Sequence, residues 1–464
     1  MREPGAILLI ACYELGHQPL GVAWPAACLE ARGYAPAVLD VAVEPFDPAK
    51  AARARVVGIS VPMHTALRVG TAVLSRVRAV NPRCRVVALG LYAALNADYL
   101  LAHGVDAVIG AEIEGPLVAW IDALAAGDDD RPVPGIRTAA HAAPARIARP
   151  SLPLPSRGGL PSLARYARLE REGRQELVGS VQASRGCKHR CRHCPIPPVY
   201  DGRFVVIPPE LVLADIRQCV DAGATHVTFG DPDFLNGPRH ALAVCHALHA
   251  AFPGVTFDLT AKVEHLLRHA ALLPELRALG CAFVVSAVES LSDAVLAHLD
   301  KGHRAADVAA VVRRTREAGI PLRPTWVAFT PWTTLDDYRA MLDFIAAEDL
   351  VDAVDPVQYT LRLLVPPGSL LARYPGMQPY LGPLVPEAFA HAWAHPDPRM
   401  DALQAEVAAA VAGAVARETD AAEIFEGVRA LADRAAGAPA RPAARPRPAL
   451  ARTRLPRLTE PWFC

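Results

Sequence analysis

Lysine is nearly missing from this 464-residue chain: Lys50, Lys188, Lys262 and Lys301 are its only examples. Arginine supplies the rest of a positive charge that equals the negative, 48 Lys+Arg against 48 Asp+Glu. A formal net charge of +0 excludes a general polyanion-binding surface, so nucleic acid is not expected as a partner. Heavy use of Ala, Pro and Arg reads as GC-rich coding bias, so arginine for lysine says nothing about phosphate. Long apolar runs are also lacking. Ala6 to Tyr13 and Val407 to Ala416 are the longest and fall short of the ~18–20 residues that cross a membrane. Glu14 follows the first run at once and no small-x-small site does, which makes it a buried strand of a cytoplasmic protein rather than a signal peptide. The loop after it, Tyr13-Glu14-Leu15-Gly16-His17-Gln18-Pro19-Leu20-Gly21, lacks Gly-x-Gly-x-x-Gly, which weakens a nicotinamide-binding reading.

What is present is alternation. Short apolar runs at Ala6–Cys12, Ala37–Asp40, Val56–Ser60, Arg85–Leu89 and Ala107–Ile109 are separated by helical patterns such as Ala23–Arg32 and Thr65–Val80. That pattern predicts a doubly wound parallel sheet over 1–130, with its ligand at the strands' carboxyl ends. A proline-rich stretch over 131–170 reads as a linker that does not pack. Alternation resumes with six strand candidates, Leu177–Ala183, His226–Phe229, Thr256–Thr260, Phe283–Ala287, Leu322–Phe329 and Val357–Leu363, predicting a partial (β/α)6 barrel over 171–385. A helical region over 386–436 and a mobile Pro/Arg-rich tail over 437–464 complete the chain.

Ten cysteines in a chain this long do not suggest a disulfide framework. Three of them, Cys187, Cys191 and Cys194, share one loop after the first barrel strand, spaced Cys-x3-Cys-x2-Cys. Cytosolic thiolates grouped so closely hold metal. Three protein ligands leave one metal position open, and Cys219, Cys245 and Cys281 form no second Cys-x2-Cys pair. Arg185, Lys188, Arg190 and Arg192 are expected to lower the thiol pKa values. Closure of a structural Cys3His zinc shell by His189 or His193 stays open, as does an iron–sulfur electron carrier.

With His193 before the last cysteine, the motif resembles that of the radical S-adenosylmethionine superfamily. The string from Cys194-Pro195 through Tyr200-Asp201-Gly202-Arg203 is similar to members with an amino-terminal cobalamin-binding domain. The resemblance covers roughly residues 1 to 370. It implies a 4Fe–4S cluster on the three cysteines, S-adenosylmethionine on the open iron, reductive cleavage to a 5′-deoxyadenosyl radical, and a reductant such as a flavodoxin or ferredoxin. It further implies that Asp231 in Gly230-Asp231-Pro232-Asp233 stands where many members have Gly-Gly-Glu-Pro and receive the methionine amino group. Ser286 and Glu289 match strand-end residues near the ribose and methionyl part, and Lys262 could pair with the methionyl carboxylate.

Val57-Gly58-Ile59-Ser60, Leu89-Gly90 and Gly110-Ala111-Glu112-Ile113-Glu114-Gly115 match the layout of cobalamin-binding modules. The Asp-x-His-x-x-Gly cobalt-ligand motif is absent, and His17 and His64 read as structural. A degenerate domain that binds substrate or nothing stays open beside cobalamin, and the substrate is not legible. The ending Glu460-Pro461-Trp462-Phe463-Cys464 resembles the radical enzymes whose tails carry Cys-Cys-Ala-Glu-Pro or Cys-selenocysteine-Ala-Glu-Pro. That implies a UGA codon after Cys464 and a redox or hydrogen-donating role for this residue.

Overall fold

A computed structural model describes residues 1–142, 147, 151–439 and 455–460. Five strands, β1 (Ile7–Ala11), β2 (Ala37–Asp40), β3 (Val56–Ser60), β4 (Arg85–Leu89) and β5 (Ala107–Ile109), form a parallel sheet. A short strand, β6 (Ile136–Arg137), adds antiparallel to β5, giving the order β2-β1-β3-β4-β5-β6. The near-continuous burial of β1 and β3 follows from helices on both faces, which leave no strand position facing water.

The second sheet runs through β7 (Arg168–Arg171) and β8 (Arg174–Val181). The strands β9 (Ser184–Gly186) and β10 (Phe204–Val206) make a separate ribbon. The second sheet continues in β11 (His226–Phe229), β12 (Thr256–Thr260), β13 (Cys281–Glu289) and β14 (Leu322–Trp326). The carboxy-terminal part holds a hairpin, β15 (Leu381–Val385) and β16 (Ala390–Trp393), two helices, Pro398–Ala416 and Ala421–Ala435, and a last strand, β17 (Arg457–Leu458). Seven strands in the order β14-β13-β12-β11-β8-β7-β17 curl into a half-barrel. Only β8 and β11 to β14 are mutually parallel.

Three expectations are corrected. The sixth barrel strand, expected at Val357–Leu363, is a 3-10 turn at Pro356–Tyr359 followed by one parallel bridge between Phe329 and Arg362. The backbone N–H of Trp326 donates to the side chain of Gln358 at 2.8 Å, so a side chain takes the place of the next ladder. Part of the 131–170 linker packs, with Val133, Ile136, Pro155, Arg157 and Leu163 buried. The Arg157 guanidinium is buried, donates to both oxygens of Asp215 at 2.7 and 2.8 Å, and reaches Gln18 in the first domain at 3.0 Å. The linker's ends also belong to the sheets, as β6 and β7.

The tail is the third correction, because residues 457–460 are docked. Leu458 pairs with Leu169 and Arg457 with Glu170, and the Arg457–Glu170 ion pair closes at 2.8 Å. The Tyr13 hydroxyl donates to Glu460 at 2.7 Å, and the Glu460 side chain lies where a Cβ on Gly16 (φ +71°) would intrude, at 2.8 Å. Leu458 covers the buried cluster of Leu169, Val178, Ala282, Phe283 and Val285. Leu458→Asp should therefore cost about 1–2 kcal/mol and release the tail, read as faster clipping of the carboxy terminus in limited proteolysis. Cys464 and the expectations attached to it lie outside the described residues.

Candidate cofactor site at the mouth of the half-barrel

The cysteine loop leaves the barrel through β9 and Gly186, whose φ of +75° and contact with the Arg203 carbonyl, 2.4 Å from a would-be Cβ, admit glycine alone. Cys187 and Cys191 are buried and Cys194 is half-buried. The loop is pinned from two sides. Lys188 donates through Nζ to the Asn236 carbonyl at 2.7 Å. Arg192 donates to the carbonyls of Ala297 and His298 at 2.9 Å, where a cation complements the end of the helix Asp293–Leu299.

Those anchors correct the expected thiol activation. Arg185 is engaged with Glu112 and Glu114, Arg190 with Asp201 and Arg192 with the helix end, so their charges are committed elsewhere. Burial pushes the Cys194 thiol up to about 12 and raises Cys187 as well. The cation that does reach the cysteines is Lys301, buried beside Cys191 and Cys194.

Lys301 also donates to Glu289 at 3.1 Å, and His193 from the cysteine loop lies 3.2 Å from the same carboxylate. Glu289 ends β13 at a register shift and in left-handed backbone, φ +67°. Bulges of this kind re-aim a side chain, here toward the cysteine loop. Burial alone would raise its pKa, but Lys301 and His193 reverse the effect and hold it at about 2.

The remaining strand-end residues divide by their partners. Asp231 accepts from the Ala183 N–H at 2.9 Å and from the Ser184 hydroxyl, and burial raises its pKa to about 7. Its carboxylate thus ties the first two barrel strands together. Ser286 is fully buried with no hydrogen-bond partner for its hydroxyl among the described residues. Lys262 is buried, with Glu264 3.6 Å away. Sequence reasoning missed Asp233, His265 and Lys301. Three of the four lysines, Lys188, Lys262 and Lys301, stand at this mouth, a signal that coding bias had masked.

Across from the cysteine loop lie the carboxyl ends of the first sheet. Arg185 bridges them, reaching Glu112 at 3.0 Å and Glu114 at 2.7 Å, and Tyr200 donates to Glu112 at 3.0 Å. Two cavities of about 560 and 160 Å³ adjoin at Gly110. The smaller is lined by Glu14, Gly21, Trp24, Gly90, Arg185 and Tyr200 among others. Gly90 (φ +111°) has Pro62 backbone 3.1 Å from a would-be Cβ, so glycine alone fits at this point of the lining. His17 is buried, its pKa lowered to about 4 by burial, and His64 engages the Ala388 carbonyl at 2.8 Å. Neither lines the two cavities.

The donor set fits an iron–sulfur centre with three protein ligands. Cys219, Cys245 and Cys281 are buried within the barrel wall. A Cys3His zinc shell does not form, because among the described residues neither His189 nor His193 shares a compact donor set with a thiol.

Residues 6–121 match the B12 binding domain and residues 181–345 the Radical SAM superfamily. A tRNA-2-methylthio-N(6)-dimethylallyladenosine synthase of Chlorobium luteolum is 27% identical over 218 residues, 44% of this chain and 46% of that protein. A hopanoid C-2 methylase of Rhodopseudomonas palustris is 31% identical over 67 residues, 14% of this chain and 13% of its own. The match thus spans less than half of either relative. In fold, the cobalamin-dependent S-adenosylmethionine radical enzyme OxsB, solved with aqua-cobalamin and S-adenosylmethionine, superposes with TM-score 0.71 at 14% identity, over 88% of this chain and 67% of its own. The radical S-adenosylmethionine methyltransferase TsrM from Kitasatospora setae, with cobalamin and a [4Fe-4S] cluster, gives TM-score 0.58 at 19% identity, over 74% and 70%.

Proposed function

We propose that this chain, in which a B12-binding domain precedes a radical SAM domain, is an enzyme that reductively cleaves S-adenosylmethionine and, with cobalamin, modifies an unreactive carbon. The observation that carries the reading is the loop of Cys187, Cys191 and Cys194 at the mouth of the half-barrel, whose flanking residues Arg185, Gly186 and Ile196 line the smaller cavity together with Gly21, Gly90 and Gly110 of the first domain. When bound, a cluster with one open iron supplies the electron that breaks the sulfonium, and cobalamin supplies a methyl-carrying cobalt. The chain's own residues hold and orient. Cys187, Cys191 and Cys194 ligate the iron, while Lys301, Glu289 and His193 fix the loop that carries them. Ser286 and Lys262 keep hydrogen-bond donors for the methionyl and ribose groups. Asp231 and Glu289 are spent on partners inside the protein and act by positioning the strand ends.

Methyl transfer is the modification this reading favours, since one relative is named a methylase and one structural neighbour a methyltransferase. The balanced charge supports a substrate other than nucleic acid. A flavodoxin or ferredoxin is the proposed electron source. Nine described cysteines without a disulfide support action in the reducing cytoplasm, and no described helix is long and apolar enough to cross a membrane.

Anaerobic protein reconstituted with iron and sulfide, reduced by dithionite and given S-adenosylmethionine, should release 5′-deoxyadenosine, or S-adenosylhomocysteine if the methyl group is donated. It should also retain cobalamin through gel filtration. A protein that holds its cluster yet yields neither nucleoside is an electron carrier, and the proposal fails.

A further inference from the structure

Beside the cysteine loop a second donor set converges from three separate loops. His189 comes from between the first two cysteines, Asp233 from the end of β11, and His265 from the helix Val263–Arg268 after β12. The Nε2 atoms of His189 and His265 stand 3.2 Å apart. Asp233 Oδ2 lies 2.7 Å from His265 Nδ1 and 3.9 Å from His189 Nε2. Every donor falls within 4.8 Å of the others, the spacing of ligands around one ion at roughly 2.0–2.2 Å.

Two details say that something belongs among these atoms. Asp233 Oδ2 and His265 Nδ1 are close but off the hydrogen-bonding axis, and both are buried polar atoms without a hydrogen-bond partner. The Asp233 side chain is 1% exposed and that of His265 6%. Such groups in a native protein call for a missing partner. Moreover, both imidazoles turn Nδ1 toward a carboxylate, His265 to Asp233 and His189 to Glu264 at 3.7 Å. The two Nε2 atoms in turn face each other at 3.2 Å, close enough for both to ligate one cation at ordinary metal–nitrogen distances.

The geometry points to a mononuclear divalent-metal site of two histidines and one carboxylate, His189, His265 and Asp233, distinct from the iron–sulfur centre. Nitrogen and oxygen donors without thiolate select borderline cations, zinc(II) or iron(II). Three protein ligands leave the shell open to water or a substrate oxygen, the pattern of a reactive rather than a structural ion. The site does not depend on the radical reading.

Zinc chloride alone is the probe. Reconstituted holoprotein is incubated anaerobically with two equivalents, desalted, and analysed for iron and zinc by mass spectrometry and for the zinc shell by X-ray absorption. The expected result is about one zinc per chain retained with iron unchanged, and a first shell of nitrogen and oxygen that includes imidazole. Asp233→Asn and His265→Gln should each lower zinc retention about tenfold or more while iron stays at the native level. Negligible zinc in the native protein, sulfur in its first shell, loss of iron on zinc uptake, or equal zinc in both variants would overturn the site. The absorption spectrum of the native protein decides the matter even if a variant misfolds.

Discussion

Replacing Cys187, Cys191 or Cys194 by alanine should abolish iron retention and release of 5′-deoxyadenosine together. On the proposed reading each thiolate would hold one corner of a cluster, and among the described residues no fourth cysteine belongs to that loop, so losing one corner would unseat the whole. Alanine at Cys219, Cys245 or Cys281 should leave iron loading unchanged, because those side chains fill the barrel wall among Val, Leu and Phe neighbours. The contrast separates a site from a general thiol effect. Reconstitution should also quicken with rising pH. The Cys194 thiol, pushed up to about 12 by burial, must lose its proton as the metal arrives. Full iron content in any of the three alanine variants would refute the assignment.

Lys301→Met should be the most damaging substitution outside the cysteines. It leaves Glu289 buried without its ammonium partner, and breaking a buried pair from one side costs about 3–5 kcal/mol. The same change withdraws the cation next to Cys191 and Cys194, so iron loading should fall as well. The double variant Lys301→Met/Glu289→Gln should recover much of the lost stability, because no uncompensated charge remains.

The pH dependence fixes the sign. The Glu289 carboxylate sits at about 2 against an ordinary 4.5, so its contribution is present above pH 4.5 and disappears as pH falls toward 2. Thermal melts should therefore show a steeper acid loss in the native protein than in the double variant. Equal slopes would remove Glu289 from the account.

Much of this architecture was readable from the residues. The five parallel strands of the first domain and the first five of the barrel stood out because each is a short apolar run between turn residues. The sixth was misread because Val357–Leu363 has strand composition, while Gln358 satisfies the Trp326 N–H through its side chain, a substitution that no periodicity records. Asp231 and Asp233 are two residues apart and alike in sequence. Only the fold turns one toward Ser184 and the other toward His265. Glu112 and Glu114 read as part of a cofactor-domain layout, yet their observed work is to hold Arg185 across the domain junction. Charge pairs between distant segments leave no trace in spacing.

The strand at Arg457–Leu458 closes a sheet edge laid down almost three hundred positions earlier, pairing Arg457 with Glu170 and Leu458 with Leu169. During synthesis the Arg168–Arg171 edge therefore leaves the ribosome bare and stays so until residue 458 has emerged. For that interval it is an open template for another nascent chain. Early termination of translation after β14 and before residue 457 would leave a barrel whose edge is permanently available for aggregation.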